Sequence, residues 1–347
     1  MRVPLEEHVM VCRPDGMRLN ALIDGRTVVL RDAEGIARSR WRLEGSTTAP
    51  ILSPAGELQS PAAPHDVLAA VEVALAHRPD APMLKLIAPG TLLPDVLAHQ
   101  ADEAGVAQVC RDMFWQQARM WLPAPTLPYP LQYAMTDGKR HPRRPQKRQG
   151  TLYQRHIPWL GRTLSLRSLD ISRDLDLFNR WMNDPVVAHF WQEEGDLAKH
   201  RAYLEGIAAD PHMQTLIACL DDHPFGYFEV YWAKENRIAP FYDAHDYDRG
   251  WHVLIGESSF RGKPFATAWF PSIAHYLFLD DCRTQRIVGE PRIDHHRQIR
   301  NLERSGYARI KDFDFPHKRA ALVMLLRERF FGDALWHPRP DAPAHQD

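Results

Sequence analysis

Cysteine is scarce in this 347-residue chain. Cys12, Cys110, Cys219 and Cys282 stand far apart, and no C-x-x-C pair suggests zinc or a dithiol redox motif. Cys219 lies in the apolar run Leu216–Leu220 and reads as a small core residue. Long apolar runs are missing too: none approaches the roughly 18 residues of a membrane-spanning helix. Neither sign of charge dominates, with Lys+Arg 43 against Asp+Glu 44 and a formal net charge of −1. That balance argues against a dedicated nucleic-acid binder, whose affinity rests on a basic surface. The opening residues Met1–His8 put two acids where a signal peptide needs an apolar core, so the expectation is a cytoplasmic protein without a membrane partner. What remains is an ordinary globular composition, 44% hydrophobic and 25% charged. At about 150 residues per domain, the length suggests two domains.

Composition marks the boundary. Residues 123–150 contain Pro123, Pro125, Pro128, Pro130, Pro142 and Pro145, which hold a chain extended. The same stretch carries the cationic run Lys139–Arg148, read as a solvated linker in preference to a nucleic-acid contact. The expected organisation is an accessory α+β domain over 1–122, a Pro/basic-rich linker over 123–158, an α/β domain over 159–330 and a loose tail over 337–347. In the first part, 17–22, 27–30 and 40–43 look like short strands. Residues 66–76 and 93–104 have helical apolar spacing, with a strand over 82–88 between them. One reading of residues 1–122 is a degenerate second copy of the later fold.

After residue 160 the order is more regular. A half-buried strand over 162–169 precedes a helix over 174–182, stopped by Asp184-Pro185, and a second helix over 196–208. Strands are expected over 215–220, 225–232 and 251–255. The apolar segment 265–278 then leads to a strand over 286–290, a helix over 297–303, and closing strands over 307–315 and 320–326. Strand 251–255, helix 265–278 and strand 286–290 have the length of a crossover joining parallel strands. Crevices at the carboxyl ends of such strands bind ligands in open α/β sheets.

The turn that opens this crossover helix is Ser258-Ser259-Phe260-Arg261-Gly262-Lys263-Pro264-Phe265-Ala266. A glycine beside cations at a helix N-terminus suits an anion, because backbone N–H groups and the helix dipole point at it. It is not a P-loop, since no G-x-x-x-x-G-K-[ST] is present. A metal reading of His245, Asp248 and His252, spaced three and four apart, needs one helix face. Those residues span a loop and a strand, so no metal is expected.

The element order, with Arg261–Ala266 in this place, resembles the Gcn5-related N-acetyltransferase (GNAT) fold. A narrower resemblance rests on Gly226–Trp232, Tyr242-Asp243, Asp248–His252, Pro271–Phe278 and Arg286–Pro291. These segments are similar to the siderophore-biosynthesis acyltransferases of that superfamily, and most similar to the aerobactin-type N-hydroxylysine acetyltransferases. The resemblance implies a mixed central sheet and acetyl-CoA as co-substrate. It implies that Arg261, Gly262, Lys263, Phe265 and Ala266 hold the coenzyme pyrophosphate, although Pro264 removes one N–H where many members have Gly. It also implies Glu290 as general base and His252 as catalytic and substrate-contacting. An amine attacking a thioester must shed a proton, and a positioned carboxylate or imidazole accepts it.

Among the dense aromatics, Trp191 and Tyr242 are candidates to wall a slot for a long aliphatic amine, with Asn183 and His189 at the amino-acid end of the substrate. The expected reaction is acetylation of the hydroxylamine nitrogen of N(6)-hydroxylysine, giving a hydroxamate. A lysine N-hydroxylase and a siderophore synthetase are the partner enzymes that the resemblance implies. Alternatives are hydroxyornithine or an N-hydroxy-diamine with another acyl donor, a non-catalytic GNAT-like protein binding coenzyme A or a partner, and a nucleic-acid-associated protein using residues 139–148.

Overall fold

The computed structural model describes residues 9–56, 62–88, 97, 102, 104 and 106–338. They fall into two compact units, one of residues 1–125 with 153–163, the other of 126–152 with 164–347.

The first unit holds a seven-stranded sheet in chain order: β1 Val9–Cys12, β2 Leu19–Asp24, β3 Thr27–Arg31, β4 Ala37–Gly45, β5 Pro50–Pro54, β6 Met83–Ile87 and β7 Val106–Cys110. β2 to β4 and β6 match the expected strands, whereas β1, β5 and β7 are additional. Helix α1, Pro64–His77, links β5 to β6, and these two strands pair in parallel. Residues 66–75 of α1 are all buried, so it is a core helix and not a half-exposed one. The expected helix over 93–104 lies outside the described residues but for isolated positions. A short helix α2, Arg111–Phe114, follows β7. Antiparallel strands, one parallel helical crossover and a returning antiparallel strand are also the order at the heart of the second unit.

That second unit carries the other sheet, with neighbours in the order β11 Arg162–Ser168, β12 Met213–Leu220, β13 His223–Trp232, β14 Arg249–Ile255, β15 Arg286–Gly289, β17 Arg319–Leu326 and β16 Ala308–Asp314. Every pair described is antiparallel except β14–β15, which are parallel and joined by the 18-residue helix α6, Lys263–Asp280. The expected crossover is therefore present. Its two strands pair only at Arg249 with Ile287 and Gly250 with Val288, and then part. The sheet splits beyond that point, leaving the rest of β14 without β15 as a neighbour.

Helix α3, Ile171–Met182, starts where Asp170 accepts a hydrogen bond from the Ser172 amide. Its Leu175, Phe178, Trp181 and Met182 pack on Leu204, Ile217, Cys219, Tyr227 and Leu254. Each fully buried Leu or Phe in this cluster contributes about 1.5–3 kcal/mol. Asp184-Pro185 does stop α3, but it also starts a second helix, α4 Pro185–Trp191. Asp184 caps the Val186 and Val187 amides there, and proline suits the first helical turn. α5, Leu197–Ala209, α7, His296–Arg304, and α8, Arg327–Gly332, complete the unit.

The segment 123–158 differs from a bare linker. It holds the hairpin β8 Tyr133–Thr136 with β9 Lys139–Pro142, and strand β10, Thr151–Ile157. Most of its cations are docked. Arg144 forks onto the buried Glu235 carboxylate at 2.5 and 2.8 Å, and Lys139 donates to the Glu235 carbonyl at 2.7 Å. Lys147 donates to the carbonyls of Ile207 and Ala208, each at 2.8 Å, and Arg148 pairs with Asp280. Four of the six cations of Lys139–Arg148 thus meet acceptors distant in sequence, while Arg140 and Arg143 are exposed. Of the expected tail, residues 339–347 lie outside the described residues. Among the described residues no helix is long and apolar enough to cross a membrane.

Candidate active site

The split in the sheet places the chemistry. His252 lies on β14 just past the last β14–β15 pair, and Glu290 follows β15 immediately, so the two flank the opening. Their side chains meet there, with His252 Nε2 3.0 Å from Glu290 Oε1. The two residues singled out as a catalytic pair are brought together.

β13 completes the centre. Glu229 is the cross-strand partner of His252 and Tyr231 that of Gly250, so both stand on the His252 side of the sheet. Glu229 Oε2 is 2.9 Å from His252 Nδ1, and Tyr231 donates its hydroxyl to Glu290 Oε2 at 2.9 Å. Tyr203 and Tyr227 donate to Glu229 Oε1 at 2.5 and 3.0 Å. Glycine is required at 250, because a Cβ there would lie 2.2 Å from the Tyr231 ring. Sequence reasoning assigned no role to Glu229, Tyr203 or Tyr231. The signal available was the alternation Tyr227, Glu229, Tyr231 on one face of a strand.

Charge in this centre is settled by pairing. Burial by itself would lower the His252 pKa, but the Glu290 charge and the hydrogen bonds to Glu229 and Glu290 outweigh it and push the pKa up to about 9. Burial would raise Glu290, yet the charge and hydrogen bond of His252, with Lys318 and Arg237 behind, hold its carboxyl well below the usual range. Glu229 is likewise held down, against burial, by His252 and the two tyrosines. Burial, then the neighbouring Glu290 charge, pushes the Tyr231 phenol up. At neutral pH the array is an imidazolium between two carboxylates. His252 has a proton to give, and Glu290 is the group with electrons to accept one.

The free edge of β14 supplies a second element. Ala233 donates its amide to the Asp248 carbonyl, and Gly256 donates to that of Phe225. Antiparallel alternation therefore turns the peptide groups of even-numbered residues on β14 toward β13, and those of Trp251, Val253 and Ile255 toward the split. Trp191 Nε1 donates to the Val253 carbonyl at 3.3 Å, and its ring stands edge-on to His252 at 6.5 Å. Trp191 thus stands beside His252 at the split.

The other candidate substrate residues have structural partners. Tyr242 donates to Asp248 at 2.9 Å and packs in the cluster that contains Tyr231. Asn183 closes the α3 end, donating to the carbonyls of Asn179 and Gly195 and accepting from the Gly195 amide. His189 is exposed, its ring against Phe190. His245, Asp248 and His252 do not converge: His245 faces Asp243, Asp248 is clasped by Arg286, and His252 lies between its glutamates.

The turn expected to hold the coenzyme is open at its tip, where Gly262, Lys263 and Pro264 are exposed. Gly262 caps α6 with a φ of 115°, a conformation that suits glycine, and a Cβ there would meet nothing within 4 Å. Arg261 faces inward. It donates to the carbonyls of Ile255 and Gly256 at 2.9 and 3.1 Å and pairs with Asp184 at 3.1 Å, so it fastens the turn to the end of β14. Phe265 rests on Phe260. The Ala266 amide is spent on the Gly262 carbonyl, so it closes the first helical bond and does not face the open tip. The exposed glycine turn and the strand edge beside it, which β15 leaves uncovered, fit a diphosphate and an amide-bearing arm.

Comparison with known proteins supplies the family. Residues 170–315 match the acetyltransferase (GNAT) domain family. The chain is 45% identical over 228 residues to a putative lysine N-acyltransferase of Schizosaccharomyces pombe, covering 65% of this chain and 68% of that protein. It is 43% identical over 224 residues to the N(6)-hydroxylysine O-acetyltransferase of Escherichia coli, covering 64% and 70%. It is 47% identical over 195 residues to an N(5)-hydroxyornithine:cis-anhydromevalonyl coenzyme A-N(5)-transacylase of Beauveria bassiana, covering 55% and 43%. The chain belongs to the siderophore-biosynthesis acyltransferases of the GNAT family. It is an acyltransferase.

Proposed function

We propose that the chain acetylates the hydroxylamine nitrogen of N(6)-hydroxylysine, producing a hydroxamate arm for a siderophore. The observation that carries this reading is the Glu290–His252–Glu229 array at the point where β14 and β15 part. Acetyl-CoA supplies the acetyl group as a thioester, with Gly262, Lys263 and Phe265 at its diphosphate and Arg261 securing the turn. The Val253 amide, on the free edge of β14, points where negative charge develops on the carbonyl oxygen. A hydroxylamine is neutral near pH 7, so it attacks without prior deprotonation. The proton it sheds afterwards is acidic enough for Glu290, despite that carboxylate's low basicity. His252, protonated and oriented by Glu229, keeps Glu290 ionised and holds a proton within reach of the leaving sulfur. Holding both reactants across one opening supplies proximity and orientation.

The E. coli relative's name specifies hydroxylysine and the B. bassiana relative's name hydroxyornithine, which keeps the ornithine homologue as the second reading of the acceptor. The pathway role implies an N-hydroxylating enzyme upstream and a condensing synthetase downstream, all working in the cytoplasm. The test is to mix protein, acetyl-CoA and hydroxylysine, hydroxyornithine or plain lysine, following free thiol and ferric-hydroxamate colour. Transfer to nitrogen gives thiol and colour together, fastest with hydroxylysine. Thiol without colour from a hydroxylated acceptor, or no thiol with any acceptor, overturns the reading.

A further inference from the structure

The centre carries more positive charge than its own reaction uses. Two carboxylates, Glu229 and Glu290, face three cations: His252, Arg237 and Lys318. Arg237 approaches Glu290 Oε1 to 3.5 Å, yet its side chain is 51% exposed. Lys318, in the turn between β16 and β17, donates to the Glu290 backbone carbonyl at 2.7 Å and leaves the carboxylate to His252 and Tyr231. Both cations stand over one ring, Phe315, at 5.6 and 5.4 Å. His317 stacks on that ring from the same turn, at 5.4 Å. Burial, then the charges of Arg237 and Lys318, lowers the His317 pKa, as expected where positive charge is in surplus.

Position decides what this surplus is for. Arg237 follows the end of β13 that pairs with Arg249, at the start of β14, whereas the Arg261 turn follows the opposite end of β14. His252 and Glu290 lie between them. The Arg261 turn, proposed above for the coenzyme phosphates, and the Arg237 cluster therefore lie toward opposite ends of β14. An anion held at Arg237 would therefore belong to whatever enters from the acceptor side.

We propose that Arg237, backed by Lys318, binds the α-carboxylate of the acceptor, so that the enzyme selects N-hydroxy amino acids over N-hydroxy diamines. This rests on the hydroxylamine-acylating reading above and adds the acceptor class. A guanidinium fork suits a carboxylate, and an acceptor lacking that group leaves the cation uncompensated.

The experiment compares kcat/KM for N(6)-hydroxylysine and N-hydroxycadaverine, which differ by the carboxylate, using the full chain and thiol release. Wild type favours hydroxylysine, and Arg237→Gln lowers that preference roughly 10- to 100-fold, chiefly through KM for hydroxylysine. Arg237→Lys keeps most of the preference, and Lys318→Gln lowers it less than Arg237→Gln does. Circular dichroism of each variant reports folding. Equal use of both acceptors by wild type, or a proportional loss on both in Arg237→Gln, overturns the proposal. Repeating the series with succinyl-CoA separates a carboxylate on the donor: an Arg237 effect seen only with that donor also overturns it. Failure of wild type on both acceptors is a different result, because it removes the hydroxylamine reading itself.

Discussion

Glu229 and Glu290 hold one imidazole from opposite sides, 2.9 Å from His252 Nδ1 and 3.0 Å from Nε2. A histidine pinned in this way has no lone pair to offer, so it is a proton donor and the carboxylates are the acceptors. Glu290 is the carboxylate at the split, and Glu229 stands behind the ring. That difference in place separates their expected mutational effects.

Glu290→Gln keeps the size and removes the proposed proton acceptor. The expected outcome is a fall in kcat of about 100- to 10,000-fold with the KM for acetyl-CoA nearly unchanged, measured by thiol release. Wild-type turnover in this variant would assign the proton elsewhere.

Glu229→Gln tests a positioning residue. It removes one of the two carboxylates that raise the His252 pKa, so the alkaline limb of the rate profile, expected near pH 9 in wild type, should move to lower pH by about one unit. Glu229→Asp restores part of the shift. A purely structural role lowers the rate at every pH without moving the limb.

Stability should follow the same proton. Folding raises the His252 pKa from 6.5 to about 9, so the folded chain binds the proton more tightly than the unfolded chain does. The resulting stabilisation is complete below about pH 6.5 and is lost as pH rises through about 9. Wild type should melt on the order of 5 °C lower at pH 10 than at pH 7, beyond the change seen for His252→Gln over the same interval. Identical pH dependence in the two proteins removes the imidazolium from the account.

Much of this was legible in the sequence, because it depended on local spacing. The crossover from β14 through α6 to β15 could be read from one strand, one glycine turn and one apolar helix, and it put His252 and Glu290 at one crevice. Glu229 was hidden because its role comes from pairing with His252, a register 23 residues away that no local pattern prints. Lys139–Arg148 misled for the same reason. A run of cations looks solvated until Glu235, Asp280 and the Ile207 carbonyl come to meet it. Asn183 and Tyr242 were read for what their side chains can bind, while the fold had engaged those groups in holding a helix end and Asp248.

Gly250→Ala probes the room left for Tyr231. The added methyl would sit 2.2 Å from the ring, so Tyr231 must shift and its bond to Glu290 breaks. The expected cost is about 1–3 kcal/mol of stability, read by denaturant unfolding. A loss of kcat should accompany it, larger than Tyr231→Phe produces, because the phenylalanine removes only the hydroxyl.

Arg261 separates two ways of serving a coenzyme. As a charge for the diphosphate it would be replaceable by lysine, and its contribution would fade with salt. The geometry gives it another task, because its fork is engaged by the Ile255 and Gly256 carbonyls and by Asp184. Lysine cannot reproduce those three contacts from one planar group. Arg261→Lys should therefore behave like Arg261→Ala, each raising the KM for acetyl-CoA about tenfold with a smaller effect on kcat and little dependence on ionic strength. Lys263→Ala, which alters an exposed cation at the helix start, should instead weaken coenzyme binding in a manner that added salt erases. Rescue of Arg261→Ala by lysine would return the arginine to the phosphates and leave the turn fastened by something else.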